Sequence, residues 1–329
     1  MIIRHLTASF LVISLLLVGC SKSAKQKKED AIVSANILLT KKKCDAAITL
    51  LESVGRDVSD VNYLKALASA YACKGGFSVL KLFADDLPLI SSPAPMGGAT
   101  RFSTSVDMDS PTYAQYLSLQ TAIDILLYAG GISTTLDPTV ARRAALFSAA
   151  DAKEINAFLM YLLLAQLGRY FYFYSNANAA GVKGGGTGPN DCFMNYENLA
   201  FSGGFADMTA WLGSAATGAC VSPATVGHPD LGADNAIDVP LACEGIVLLN
   251  NFMAIFPGVI AGMAGDDFDD LETLETAMNA GKVLAEANTP GSDTKVNNVL
   301  SQERCESLND TSDDYIQTYF AFMMETLVQ

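Results

Sequence analysis

The segment from Ile155 to Tyr174, INAFLMYLLLAQLGRYFYFY, constrains the fold more than any other part of the chain. It is apolar nearly all round, which is typical of a helix at the centre of a large domain or in a membrane. Asn156, Gln166 and Arg169 interrupt it, and at about 100° per residue they fall within one sector of roughly 140°. This polar edge favours a buried central helix that the rest of the protein surrounds.

Helical spacing of apolar residues recurs along the chain, and we find no sustained alternation of branched and polar residues. The sequence therefore predicts an all-α fold. After a Ser-, Pro- and Gly-rich loop at 91–111, helices are predicted at about 112–129, 138–148, 152–174, 241–264, 268–287, 294–307 and 312–328. The side chains predicted to cap helices are those of Ser59, Ser110, Asp137 and Asp151.

The region 31–90 has the clearest organisation. Apolar faces recur between Ala31 and Leu39 and between Cys44 and Leu51, and a third helix runs from about Ser59 to the Gly75-Gly76 stop. Short turns separate these helices. We therefore expect stacked antiparallel helical hairpins.

Two runs in this region, Lys43–Ile48 and Lys74–Val79, lie about 31 residues apart, and Ala68-Ser69-Ala70-Tyr71 precedes the second one. In these features the region resembles the tetratricopeptide family, whose repeat is about 34 residues long. The match covers under a fifth of the chain and lacks the Trp-Leu-Gly signature. The resemblance implies helical hairpins with a concave face that binds a protein partner.

The N-terminus has the order of a secretory signal: Arg4 and His5, an apolar stretch from Leu6 to Val18, then Gly19 and Cys20. The apolar core, about 13 residues, is shorter than the roughly 20 that a membrane-spanning helix needs. Leu17-Val18-Gly19-Cys20 resembles the lipobox of bacterial lipoproteins. The resemblance implies removal of residues 1–19 and lipid attachment to Cys20. Ser21 in place of Asp implies sorting to the outer membrane.

Residues 20–30, CSKSAKQKKED, are polar and contain no aromatic or branched side chain, which predicts a flexible tether. The formal net charge of the chain is −14, although residues 1–28 hold basic and no acidic side chains. The remaining body is therefore more acidic than the total suggests. Such a body repels nucleic acid and anionic headgroups, and no nucleic-acid partner is expected.

Six cysteines remain once Cys20 is lipidated, and an even number in an exported chain favours disulfides. Cys44 opens one predicted helix and Cys73 closes the next, so in an antiparallel hairpin the two lie at the same end. We predict a Cys44–Cys73 bond. Of the 15 pairings that six cysteines allow, the spacing of the others favours Cys192–Cys220 and Cys243–Cys305.

The chain contains little that indicates catalysis, a metal or a cofactor. His228, the only histidine after the signal, lies beside Pro229 and is interpreted as a surface-loop residue, and there is no GxSxG sequence. The stretch GVKGGGTGPN at 181–190 lacks the GK[ST] ending of a phosphate loop and is interpreted as a flexible loop. Catalysis by paired carboxylates stays open.

Calcium binding also stays open, through two acidic clusters that do not match the EF-hand spacing: Asp230, Asp234 and Asp238, and Asp266 to Asp270. No metal site is predicted from them. A ligand pocket is placed along the predicted central helix and the neighbouring glycine-rich loop, because ligand sites are apolar with a few polar groups. Its candidate residues are Phe158, Tyr161, Gln166, Arg169, Tyr170 and Tyr172.

Two functions fit these features. The first is a non-enzymatic, lipid-anchored helical scaffold that binds a protein partner in the cell envelope. The alternative is a small-molecule binding or transport-accessory lipoprotein, in which helices 152–174 and 241–264 form an apolar pocket. The predicted organisation is signal peptide 1–19, lipidated tether 20–30, hairpins 31–90, loop 91–111 and helical domain 112–329.

Overall fold

The computed structural model describes residues 22–90, 95–105, 110–196, 211–212, 220, 227–232, 237–261, 269–309 and 314–328. The predicted signal peptide and Cys20 lie outside these residues. The fold is all-α, as the sequence predicts, and the described residues contain no strand. The longer helices are α1 (Ala24–Thr40), α2 (Cys44–Ser53), α3 (Val61–Lys74), α4 (Ala114–Leu127), α5 (Val140–Leu146), α6 (Ala149–Tyr174), α7 (Val239–Ile260), α8 (Asp269–Asn288), α9 (Gln302–Asn309) and α10 (Asp314–Tyr319).

Short helical turns connect these elements. They are Val79–Lys81, Leu82–Asp86, Leu87–Leu89, Pro95–Ala99, Ala129–Gly131, Pro229–Gly232 and Asp293–Asn297, and α10 continues through Phe320–Met324 and Glu325–Leu327. The bounds of the longer helices lie within a few residues of most predicted ones. The main departure is the predicted helix 294–307, where a π-helical turn and α9 stand instead.

The predicted tether is wrong over most of its length, because α1 begins at Ala24. Ser23 caps the helix: its side chain accepts the N–H of Gln26, and the Gln26 side chain accepts the N–H of Ser23. Lys28 then pairs with Asp57 and Asp60, at 2.6 Å in each case. The polar segment 22–30 is therefore part of a capped helix, and ion pairs hold this helix against the rest of the protein.

The central helix α6 is 26 residues long and buried along most of its length, as its composition predicts. It packs against α4, α7 and the turn at 95–99. The polar edge is paired inside the protein. Asn156 accepts from Arg143, Gln166 donates to the carbonyl of Tyr116, and Arg169 donates to three backbone carbonyls, those of Gly75, Thr104 and Gln115.

Two of the predicted capping residues lie close to the residue that caps the helix in the structure, one residue away in α3 and three residues away in α6. Asp60, not Ser59, caps α3, and its carboxylate accepts the N–H of Tyr63 at 3.1 Å. Ser148, not Asp151, caps α6, while Asp151 accepts from the Ser148 hydroxyl at 2.6 Å. Several side chains near the start of each helix could accept a hydrogen bond from its first turn. The path of the backbone into the helix decides which of them does so.

The other two predicted caps are also wrong. Thr139 caps α5, while Asp137 accepts the N–H groups of Leu300 and Ser301 at 2.9 and 3.2 Å. Asp137 therefore holds the start of α9 across more than 160 positions of sequence. Ser110 bonds to Thr112 and does not cap α4, which has no side-chain cap.

The predicted loop at 91–111 is in part a core element. Met96, Ala99 and Phe102 are completely buried. Gly168 of α6 lies so close to the carbonyl of Ala99 that a Cβ at this glycine would overlap it. The segment therefore joins the hairpins to the central helix instead of separating two units.

The glycine-rich segment 181–190 is not the flexible loop that the sequence predicts. Asn176 and Asn178 hold it by hydrogen bonds from their side chains to its backbone, as at Gly188, where Asn176 accepts the N–H at 2.8 Å. Lys183 within it is buried and pairs with Glu325 at 2.8 Å. The segment is an ordered turn that closes over the core.

Three disulfides join the same pairs that the sequence predicts, Cys44–Cys73, Cys192–Cys220 and Cys243–Cys305. The first ties α2 to α3, and the third ties α7 to α9. The tetratricopeptide likeness of 31–90 stays a prediction, although α1, α2 and α3 do pack on one another in sequence.

One helix of the described part, α7, is long and apolar enough to span a membrane. Its mean hydropathy is 1.7, and 67% of its most apolar window lies inside the protein. Its side chains form the core together with those of α6.

Candidate functional site

A cavity of about 430 Å³ lies between α4, α6, α7 and α9. Its floor is buried and mostly apolar, and its rim carries exposed polar side chains. The residues that line it are Gln120, Asp124, Leu127, Tyr128, Thr134, Leu163, Pro240, Leu241, Glu244, Val247, Leu248, Asn251, Gln302, Glu303 and Glu306.

The helices place these side chains by simple periodicity. Gln120, Asp124 and Tyr128 follow one another at four-residue spacing and so share one face at the end of α4. Glu244 and Asn251, seven residues apart, share one face of α7. The Cys243–Cys305 disulfide holds α9 beside this face of α7.

Two carboxyl groups lie in the cavity wall, one on each of two apolar helices. Asp124 is the only charged residue in α4, and Glu244 is the only one in α7. Burial in the recess raises the pKa of Glu244 to about 7, and the nearby charge of Asp124 adds to the rise while the Tyr116 hydroxyl opposes it. Burial likewise raises the pKa of Asp124 to about 6, against a hydrogen bond from Gln120. Of the two residues, Glu244 is half-buried and Asp124 is exposed to solvent.

Three hydrogen-bond donors of the cavity lining are already engaged with its carboxylates. Gln120 donates to Asp124 at 3.0 Å, and Gln302 donates to Glu306 at 2.7 Å. At the rim, the Thr134 hydroxyl donates to Glu303 at 3.1 Å. The unused hydrogen-bonding capacity of the wall therefore consists mainly of acceptors.

Asn251 adds a neutral acceptor at the floor. Its side chain is 1% exposed, and its amide nitrogen donates to the carbonyls of Val247 and Leu300 at 2.9 and 2.8 Å. These two bonds fix which end of the amide is the oxygen. Among the described residues nothing donates to that oxygen, and a buried polar atom without a partner calls for an explanation.

A second recess of about 280 Å³ lies on the other side of α4, against α3. Asp124 and Tyr128 line both recesses. The C-terminal end of α4 thus separates the cavity from this second recess.

The six residues predicted as a pocket are not brought together in one. Phe158 packs on Phe77, with ring centroids 6.5 Å apart, and Tyr161 meets Phe83 edge to face at 5.1 Å. Both contacts are to the hairpin side of α6, away from the cavity. Neither side chain lines the cavity between α4, α6, α7 and α9.

The remaining four predicted residues are also dispersed. Gln166 and Arg169 hold backbone carbonyls in the core, as described above, and the Tyr170 hydroxyl donates to the carbonyl of Leu241 at 3.0 Å. Tyr172 lines a separate recess beside the glycine-rich turn. The predicted helix pair does line a cavity, but through Leu163 of α6 and the 240–251 face of α7.

His228 is not a surface residue. It is 8% exposed, and its ring lies 4.7 Å from that of Phe173 and 5.0 Å from that of Tyr174. Burial lowers its pKa, and Asp230 opposes the shift. A neutral imidazole in an aromatic cluster acts here as a core side chain.

In the part of the chain that the structure describes, the only three metal-ligand side chains that come together are Cys192, Cys220 and Glu325. The two cysteines form a disulfide and have no thiolate to offer, and Glu325 is paired with Lys183. Of the acidic loops considered for calcium, Asp238 caps α7, and Asp234 and residues 266–268 lie outside the described residues.

Comparison of the chain with protein families, curated proteins and solved structures finds no match. The cavity therefore has to be interpreted from its own chemistry. Asp124, Glu244 and Asn251 are not among the residues predicted from the sequence. A signal for the first two is nevertheless present, because each acid stands alone in an otherwise uncharged helix. A single acid in an apolar helix is costly to bury and so indicates a site.

Proposed function

We propose that this chain is a lipid-anchored protein of the cell envelope that binds a small amphipathic organic molecule in the cavity between α4, α6, α7 and α9. One observation carries the proposal: the lone charges of two apolar helices, Asp124 and Glu244, face the same cavity. Its volume falls within the range of about 300–1,000 Å³ that is typical of ligand sites.

The lipid anchor rests on the lipobox resemblance, and the start of α1 sets the length of the link between Cys20 and the helical body. With Ser23 as the cap, only residues 21–23 separate Cys20 from the helix. At roughly 3.5 Å per residue such a link spans at most about 14 Å. The binding domain would then be held directly at the membrane surface.

The test uses the full lipidated chain, purified from membranes in mild detergent. Native mass spectrometry should detect a bound small molecule at a one-to-one ratio. Leu241→Trp, at the cavity wall, should abolish the adduct, whereas Leu117→Trp, on the exposed face of α4, should retain it. An adduct that survives Leu241→Trp, or a wild-type protein free of ligand, would contradict the proposal.

A protein-binding scaffold is the second candidate. Val33 and Ile37 lie one turn apart on α1, and they are 60% and 52% exposed. Val33 lines a shallow groove between α1 and α3, together with Ile32 and Ala66. Crosslinking in intact cells should capture a stoichiometric envelope partner that Val33→Lys releases, and retention of the partner by this variant would exclude the groove.

A further inference from the structure

We propose that the ligand of this cavity is a protonated organic amine with an apolar body. This inference rests on the proposed function and names the class of molecule that the site selects. Four carboxyl groups line the cavity, on Asp124, Glu244, Glu303 and Glu306, and its lining contains no Lys, Arg or His among the described residues. An anion would meet only like charge there.

The one basic side chain close to these acids in sequence is directed elsewhere. Arg304 lies between Glu303 and Glu306 on α9, but it forms an ion pair with Asp137. No positive charge of the cavity wall therefore compensates the acids. A ligand that carries a positive charge supplies the cation that the wall lacks, and its N–H groups can donate to the carboxylates.

The unpartnered oxygen of Asn251 is an independent sign of a ligand donor. It accepts an N–H or O–H without competition, because the amide nitrogen is committed to Val247 and Leu300. Seven residues of helix separate Asn251 from Glu244, which corresponds to about 10 Å along α7. The apolar floor, formed by side chains such as those of Leu163 and Leu248, covers the distance between them.

The geometry argues against a metal ion as the occupant. A divalent cation needs several oxygen ligands at about 2.0–2.6 Å from one centre. Among the described residues, no three carboxylates of the cavity bring their oxygens within 4.8 Å of one another. Dispersed carboxyl groups around an apolar floor fit an extended organic cation instead.

The experiment compares three probes with the same eight-carbon chain: octylamine, octanol and octanoate. Calorimetric titration of the full chain, freed of bound ligand, should show octylamine binding at least about tenfold more tightly than octanol, because a hydrogen bond to a charged group is worth that much. Octanoate should not bind. Leu241→Trp should abolish octylamine binding.

Variants that remove one carboxylate at a time show which acid binds the ammonium group of octylamine. Glu244→Gln and Asp124→Asn should each weaken octylamine binding about tenfold and leave octanol binding unchanged. Glu154→Gln is the matched control, since Glu154 is an exposed acid of α6 that pairs with Lys65 outside the cavity. Two cavity variants are used so that a folding defect in one does not decide the result.

The outcomes separate the two proposals. If octanol or octanoate binds as tightly as octylamine, and Leu241→Trp abolishes this binding, the amine proposal is refuted. The proposed binding function then still holds. Failure of all three probes, together with a ligand-free native mass spectrum, overturns both. Octylamine binding that is indifferent to Glu244→Gln and Asp124→Asn also overturns the amine.

Discussion

Replacing Glu244 with Gln should stabilise the protein at alkaline pH and leave its stability unchanged in acid. Glu244 lies in a recess where burial raises its pKa from 4.5 to about 7. The folded state therefore holds this proton more firmly than the unfolded state does. Stability is greatest below the unfolded pKa and falls as the pH rises through the folded pKa, because the carboxylate must then ionise among apolar neighbours.

The magnitude follows from the size of the shift. Each pKa unit corresponds to about 1.4 kcal/mol, so the shift of Glu244 sets an upper limit of roughly 3 kcal/mol on the cost of the ionised form. Water in the mouth of the cavity reduces this cost. We expect Glu244→Gln to raise the free energy of unfolding by about 1–2 kcal/mol near pH 8 and by almost nothing near pH 4.

Urea unfolding monitored by tryptophan fluorescence measures the difference directly. The chain has one tryptophan, Trp211, which is 6% exposed and donates to the carbonyl of Ala321, so it reports on the core. Glu154→Gln should change stability little at either pH. An equal effect of Glu244→Gln at both pH values, or a loss of stability at high pH, would refute the raised pKa of Glu244.

Four further predictions follow from the same structure. Octylamine affinity should rise as the pH increases through the pKa values of Asp124 and Glu244, about 6 and about 7, as calorimetry at several pH values can measure. Removing the Cys243–Cys305 bond, as the double alanine variant, should lower the unfolding free energy by about 4 kcal/mol, because it closes a loop of 62 residues. Lys183→Met should cost about 3–5 kcal/mol in urea unfolding by leaving the Glu325 carboxylate buried without its cation, and adding Glu325→Gln should recover part of the loss. Cys20→Ser should abolish incorporation of labelled palmitate, and labelling that persists would exclude the lipobox.

Features that depend on near neighbours in the chain could be predicted from the sequence. The period of 3.6 residues places the helices, since an apolar stripe has to face the core. The buried course of α6 follows from its composition, because a helix that is apolar all round has no face to expose. The Cys44–Cys73 pair follows from cysteines at the facing ends of adjacent helices.

Features that depend on contacts between distant parts of the chain could not be predicted from the sequence. The polar segment 22–30 has the composition of a tether, and Lys28 becomes part of the body only because Asp57 and Asp60 lie opposite it. His228 has the context of a surface loop, and aromatic rings from α6 bury it. Such burial is decided by elements that the local pattern does not include.

The candidate site divides in the same way. The sequence by itself determined an acidic, disulfide-bonded helical chain with two apolar central helices, because composition and periodicity are local properties. Only the tertiary structure decided that Asp124 and Glu244, on separate helices, share one cavity with the buried amide of Asn251. The physical reason is that a binding site forms where the faces of several helices come together. Helix packing decides which faces meet, and the period of a single helix does not specify that packing.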